Sequence, residues 1–230
     1  MNFNGFQKLT LLDFPGKVAC TLFLAGCNFR CPFCHNASLV TDIDNSVSFS
    51  DSEVLTYLKK RKGVLEGVCI TGGEPLLNKE LELFLIKVKE LGYPIKLDTN
   101  GYFPDRLKSL IDKGLIDYVA MDIKNCQEKY GLTVGVENFD ISPVLKSVEL
   151  LKKGVIPYEF RTTVVNELHT VEDILSMGEW IKGADKHFLQ NFVDSGNLIQ
   201  GGLSEIDKDT LQKMREILSN FVTNAEIRGI

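Results

Sequence analysis

The chain has 230 residues, 44% hydrophobic and 25% charged, the composition of an ordinary globular fold with a sizeable core. Lys and Arg number 26 and Asp and Glu 31, a formal net charge of −5 that argues against a dedicated nucleic-acid binder, whose binding face is basic. No apolar run approaches the ~20 residues of a membrane span, and the start MNFNGFQKLTLLDFPGK lacks a basic segment followed by an apolar one. The expected compartment is therefore cytoplasmic, with reduced cysteines.

The predicted elements alternate. VACTLFLAG (18–26) is a β-branched, apolar run and reads as a buried strand. Residues 49–61 follow as a helix, with an acidic, serine-rich start and Val54, Leu55 and Leu58 at helical spacing. GVCITGG (67–73) is strand-like, and 78–92 is an amphipathic helix with Asn78 as N-cap and Gly92 as its stop. PIKLDTNG (94–101) is a strand ending in an Asn-Gly turn, and 104–114 is a helix with Pro in its first turn. Strand 117–124, helix 142–154, strand 158–165, helix 171–183, strand 186–192 and helix 207–221 continue the pattern, and a β-like piece around NAEIRGI closes it.

About six βα units in a row imply parallel strands with crossover helices, in one α/β domain over 1–230. A doubly wound sheet and a barrel both fit, and both bind ligands at the carboxyl ends of their strands. The chemically loaded residues fall there. A cysteine cluster follows the first strand, Thr71-Gly72-Gly73-Glu74-Pro75 ends the second, and Asp98-Thr99-Asn100-Gly101 ends the third. Asp122 and Lys124 close the fourth, and Gln190 and Asn191 close the strand near 190.

The cluster is AGCNFRCPFCHN, with Cys27, Cys31, Cys34 and His35. Zinc takes four ligands, commonly in two separated pairs; here the second pair is missing, and neighbours such as Cys34 and His35 rarely point at one ion. Cys31 to His35 matches the c-type haem pattern C-x-x-C-H, but that chemistry belongs with export. A redox pair at 31 and 34 leaves Cys27 unexplained. The remaining reading is C-x-x-x-C-x-x-C, three thiolates on three irons of a [4Fe–4S] cluster whose fourth iron stays open to a small ligand. Gly26 suits a sharp exit from the strand, and Phe33 is placed to cover such a ligand. Cys20 and Cys69, inside apolar runs, read as small buried hydrophobes.

Cys27, Cys31, Cys34 and Phe33, together with Gly72-Gly73-Glu74-Pro75, resemble the two signatures of the radical S-adenosylmethionine (radical SAM) enzymes. The resemblance implies a partial (β/α)6 TIM-type barrel of parallel strands, one [4Fe–4S] cluster on the three cysteines, and SAM chelating the open iron. It also implies roles at the strand ends. Glu74 would accept from the methionine ammonium, with Gly72 and Gly73 letting the backbone approach, and Asp98 would bond the amino group. For Asp98 the plainer reading is that it opens the Asn-Gly turn. Asp122 and Lys124, two apart on a strand, face one side, where a ribose and a methionine carboxylate would explain them and a structural ion pair is the other reading. Arg161 also belongs among the candidates; His169 and His187 read as structural, and His35 as a loop-shaping residue.

Over about residues 5 to 229 the chain resembles the glycyl-radical-enzyme activating proteins. Asp13-Phe14-Pro15-Gly16-Lys17, Asp98-Thr99-Asn100-Gly101 and Asp122-Ile123-Lys124 carry that likeness. Leu189-Gln190-Asn191-Phe192 and Glu226-Ile227-Arg228-Gly229 resemble the anaerobic ribonucleoside-triphosphate reductase activators. Pyruvate formate-lyase activators carry a ribose-holding histidine near Phe192, and several other activators insert cysteines between the two signatures, where residues 35–68 have none. The implied reaction starts with a low-potential donor such as flavodoxin or ferredoxin. An electron cleaves SAM to methionine and a 5′-deoxyadenosyl radical, which takes hydrogen from a glycine α-carbon on a partner enzyme. No side chain beyond the cluster ligands is needed as acid or base, and neither nucleic acid nor membrane is an expected partner. By fold analogy, a lateral gap in an open barrel would admit a protein loop. A radical SAM enzyme acting on a small molecule, and a non-enzymatic iron–sulfur or zinc protein, are the competing readings.

Overall fold

The computed structural model describes residues 1–44 and 48–229. A two-stranded antiparallel ribbon joins β1 (Asn2–Phe3) to β4 (Phe49–Ser50). The main sheet has eight strands: β2 (Gly5–Thr10), β3 (Ala19–Leu24), β5 (Gly67–Gly72), β6 (Ile95–Thr99), β7 (Tyr118–Asp122), β8 (Tyr158–Val164), β9 (Lys186–Asn191) and β10 (Asn224–Arg228). Their spatial order is β10-β9-β8-β7-β6-β5-β3-β2, and every pairing is parallel except the antiparallel β2–β3.

That order separates the two architectures the alternation allowed. A doubly wound sheet reverses direction at a switch point; here the strands from β3 to β10 follow the chain without a reversal. Successive right-handed crossovers then place the helices on one side, and the sheet curls as a barrel left open between β2 and β10. Seven parallel strands line it, one more than six units, because the predicted terminal β-like piece joins as β10; its last residue, Ile230, lies outside the described residues. Strand β2 was not predicted. Its sequence GFQKLT has three exposed residues in a row, and it covers only one edge.

The helices are α1 (Asp51–Lys60), α2 (Leu81–Glu90), α3 (Pro104–Asp112), α4 (Tyr130–Val134), α5 (Ser142–Lys152), α6 (Val171–Trp180) and α7 (Lys208–Leu218). Ser50 and Thr170 cap α1 and α6 through capping boxes with Glu53 and Asp173. Asn78 is not the N-cap of α2, which starts at Leu81; its Oδ1 accepts from the Glu80 N–H and forms a turn ahead of the helix. Gly92 does end that helix, at φ +84°.

Alternate strand residues sort into two layers. Leu22, Leu24, Val68, Ile70, Ile95, Leu97, Val119, Met121 and Phe160 belong to the main core with the helices. Ala19, Cys69 and Tyr118 point the other way, into the lumen, where Phe14 joins them. Cys20 and Cys69 are fully buried, as small hydrophobes are. Among the described residues no helix is long and apolar enough to cross a membrane.

Candidate active site

The carboxyl ends of the strands surround a cavity of about 240 Å3. Its rim is the loop after β3. Gly26, at φ +91°, turns the chain out of the strand, its N–H donates to the Leu39 carbonyl (2.8 Å), and its own carbonyl accepts from the Glu74 N–H (2.8 Å). The loop is held from three further sides. Arg30 N–H donates to Val134 O of α4 (2.8 Å), Gln200 N–H to Pro32 O (3.0 Å), and the Asn36 amide to Gly72 O (2.9 Å). Cys27, Cys31 and Cys34, with Phe33, all line the cavity, and all three thiols are free.

Gly72 and Gly73 line the same cavity, but the reason for glycine lies on their other side. A Cβ on Gly72 would sit 2.2 Å from Leu24 O, and one on Gly73 would sit 2.1 Å from Gly26 O. The small residues let the end of β5 press against the end of β3, which fixes the cysteine loop relative to the neighbouring strand. Glu74 departs from its expected placement. Its carboxylate is 1% exposed, does not line the cavity, and accepts from Leu76 N–H (2.9 Å), the Thr99 hydroxyl (2.9 Å) and Asn100 N–H (2.7 Å). It ties the ends of β5 and β6 together. Burial pushes its carboxyl up to about 7 against the pull of those donors.

Opposite the thiols is a wall of charge. Asp98 ends β6, Asp122 ends β7 with Lys124 two residues on, and Arg161 comes from β8, in direct register with Asp122. Lys124 Nζ pairs with Asp122 (2.9 Å), Arg161 reaches both Asp122 (3.0 Å) and Asp98 (3.2 Å), and Lys96 takes the second oxygen of Asp98 from below. Burial alone would raise Asp122, yet Lys124 and Arg161 outweigh it and hold the carboxyl at about 2. Burial likewise works against Asp98, and Arg161 with Lys96 keeps it below the usual carboxylate range. Three cations thus face two carboxylates, a wall with one positive charge in excess.

The plainer reading of Asp98, as the opener of the Asn-Gly turn, does not describe its side chain, since both oxygens face cations. His169 bonds Lys124 O (2.8 Å) and the Val165 backbone, and its ring meets Phe33 edge-on. His187 bonds Thr162 inside the core. His35 lines the cavity and lies over buried Phe192, ring centroids 5.8 Å apart. One residue here escaped sequence reasoning, and another was named only for its place at a strand end. Lys96 is 2% exposed and fixes Asp98; Asn100 donates to Asn28 Oδ1 (2.9 Å), with its amide 3.8 Å from the Cys27 sulfur.

The family model described as the radical SAM superfamily matches residues 21–181. The chain belongs to that superfamily. Among radical SAM relatives, it is 31% identical over 237 residues to MJ1227 of Methanocaldococcus jannaschii, provisionally named a glycyl-radical enzyme activating enzyme, covering 99% of this chain and 95% of that one. It is 28% identical over 152 residues to the pyruvate formate-lyase-activating enzyme of Clostridium pasteurianum, covering 64% and 62%. In fold, it is similar to Streptococcus suis SuiB bound to its precursor peptide SuiA (TM-score 0.71, 14% identity). That match covers 91% of this chain and 48% of SuiB, so the chain spans about half of that protein's length.

Radical SAM membership implies an iron–sulfur cluster and SAM, and the residues present fit both. Three free thiols are the soft donors that iron–sulfur clusters take. Among the described residues no three His, Cys, Asp or Glu side chains converge on a single metal ion. Burial pushes the Cys31 thiol up to about 12, so in the absence of metal it stays protonated. A zwitterionic amino-acid group matches a wall that alternates cations and carboxylates.

Proposed function

We propose that this protein is an activase of a glycyl radical enzyme, acting in the cytoplasm as one radical SAM domain over residues 1–230. Anaerobic ribonucleotide reductase is the partner class to test first. One [4Fe–4S] cluster would be held by Cys27, Cys31 and Cys34. When loaded and reduced by a low-potential donor such as flavodoxin or ferredoxin, the cluster with SAM supplies a carbon-centred radical that takes hydrogen from a glycine of the partner.

The observation that carries this reading is the union, in one cavity, of three free thiols with the Asp98–Arg161–Asp122–Lys124 array. Lys124 and Arg161 would hold the methionine carboxylate. Asp98 keeps acceptor capacity for the ammonium, because a carboxylate offers about four lone-pair sites and two cations use only some of them. Asp122 is the acceptor for the ribose, and Gly72, Gly73 and Phe33 form the apolar and backbone walls. Glu74, sealed behind the cavity, positions Thr99 and Asn100 rather than touching the ligand.

One feature supports a protein substrate over a small one: the barrel is open between its two edge strands. The names of the relatives from M. jannaschii and C. pasteurianum point the same way.

The test is anaerobic. The protein is loaded with iron and sulfide, reduced, and given SAM with and without an anaerobic reductase. The expected results are 5′-deoxyadenosine by chromatography and a glycyl radical signal on the reductase by electron paramagnetic resonance. Cleavage of SAM with a radical on a formate-lyase-type partner alone would move the partner assignment, and failure to bind SAM would overturn the reading.

A further inference from the structure

The closing Glu226-Ile227-Arg228-Gly229 stretch has no place in the site as described so far, yet it reaches toward it. Arg228 stands on β10, which among the described residues pairs with β9 alone and forms one open edge of the barrel. Its guanidinium crosses the inner face of β9, stacked 3.3 Å from the ring centroid of Phe188, and makes a two-pronged pair with Glu159 of β8 (2.9 and 3.0 Å). The Glu159 side chain is 1% exposed and that of Arg228 36%. Among the described residues the one other hydrogen-bond partner of the Glu159 carboxylate is the Tyr118 hydroxyl, which donates to it at 2.9 Å.

Glu159 precedes Arg161 by two residues on the same strand, so both side chains enter the lumen, and Glu159 is among the charges that Arg161 senses. Arg161 therefore stands between two sets of carboxylates: Asp98 and Asp122 above it, and Glu159 below. With Arg228 in place, both Glu159 oxygens are engaged from the edge strand and Arg161 is left to the upper pair. Without Arg228, a buried carboxylate would face one tyrosine and would compete for the nearest cation.

We propose that Arg228 is a positioning residue: by holding Glu159 from the edge strand it keeps Arg161 turned to Asp98 and Asp122. This rests on Arg161 belonging to the SAM-binding wall, as read above. The C-terminal strand is then part of the binding apparatus even though it touches no ligand.

The test pairs Arg228→Met, which keeps an unbranched stem over Phe188 but removes the charge, with Glu159→Gln and with the double variant. SAM affinity is measured by calorimetry on the cluster-loaded protein, and the position of Arg161 is read from crystal structures. R228M is expected to weaken SAM about tenfold or more, the scale of one charge-assisted hydrogen bond, with Arg161 swung from Asp98 to Glu159. The double variant, which lacks the competing carboxylate, is expected to recover wild-type affinity and the wild-type place of Arg161. Wild-type affinity in R228M, or a double variant that binds as weakly as R228M, would overturn the proposal and leave Arg228 a strand-edge clamp. Should R228M fail to fold, the double variant compared with E159Q decides alone: equal affinity supports the proposal and weaker binding overturns it. If the wild-type protein binds no SAM, it is the proposed function that fails, and the place of Arg161 in the variant structures still decides this inference.

Discussion

The upper and lower ends of the barrel lumen are lined by the same strands, but their side chains differ in kind. The upper end holds the three thiols, two carboxylates and three cations around an open cavity. The lower end is closed by an apolar group, Ala19, Cys69 and Tyr118, into which the 13–17 loop inserts Phe14, 3% exposed. Phe14 and Tyr118 stand 6.1 Å apart by ring centroid, and a Cβ on Gly67 would collide with the Phe14 ring at 2.7 Å. The loop is secured by the Thr21 hydroxyl, which donates to Asp13. The contrast shows how the curled sheet supports charge. The closed lower end keeps water from the wall on that side, so the ion pairs at the top work in a medium less polar than bulk water, where each pair and each ligand contact is stronger.

The contrast can be broken at either end. The largest effect is expected at the top: Cys31→Ala removes one of the three proposed cluster ligands, and iron content, visible absorption and 5′-deoxyadenosine formation should all be lost while the fold persists by circular dichroism. At the bottom, Phe14→Ala opens a cavity under the lumen and should cost about 3 kcal/mol in chemical denaturation. SAM affinity should stay at the wild-type level, and a parallel loss of affinity would show that the two ends are not separable. Glu74 sits behind the upper end and sharpens the comparison through pH. Its folded-state pKa is raised to about 7 from an unfolded value near 4.3, so its contribution is fully present below about pH 4.3 and is lost as pH rises toward 7. Glu74→Gln, which does not titrate, should flatten the stability slope across that window in denaturation curves, and an unchanged slope would reassign it to another group. The smallest effect belongs far from both ends. Ser50→Ala removes the α1 capping box and should cost about 1 kcal/mol, lowering the melting temperature without changing iron content.

Much of the upper end could be read from residues alone because charges at the ends of apolar strands demand an explanation. Asp98, Asp122 and Lys124 stood out for that reason, Arg161 only as a charge inside a strand, and the structure brings all four to one wall. Lys96 carried the same signal. It stands two residues before Asp98, the spacing that linked Asp122 with Lys124, but its mid-strand position hid it. Glu74 shows a different limit. Its motif was plain, but its three partners include two backbone N–H groups, which no side-chain pattern advertises. The role of the glycines before it depended in the same way on the neighbouring backbone. Strand β2 escaped because half of its residues face solvent and its pairing with β3 is antiparallel in an otherwise parallel sheet. Phe14 was marked only as part of a likeness, and its place in the lumen follows from tertiary packing.

The strap over the cysteine loop has a consequence in the order of synthesis. Ser38, at the end of that loop, bonds Asn197, a partner 159 positions later in the chain, and Pro32 accepts from Gln200 in the same segment. At typical rates of elongation the strap follows the thiols by an interval on the order of 10 s. For that interval the cysteines are translated but not yet covered on that side, open to iron, sulfide or oxidant alike.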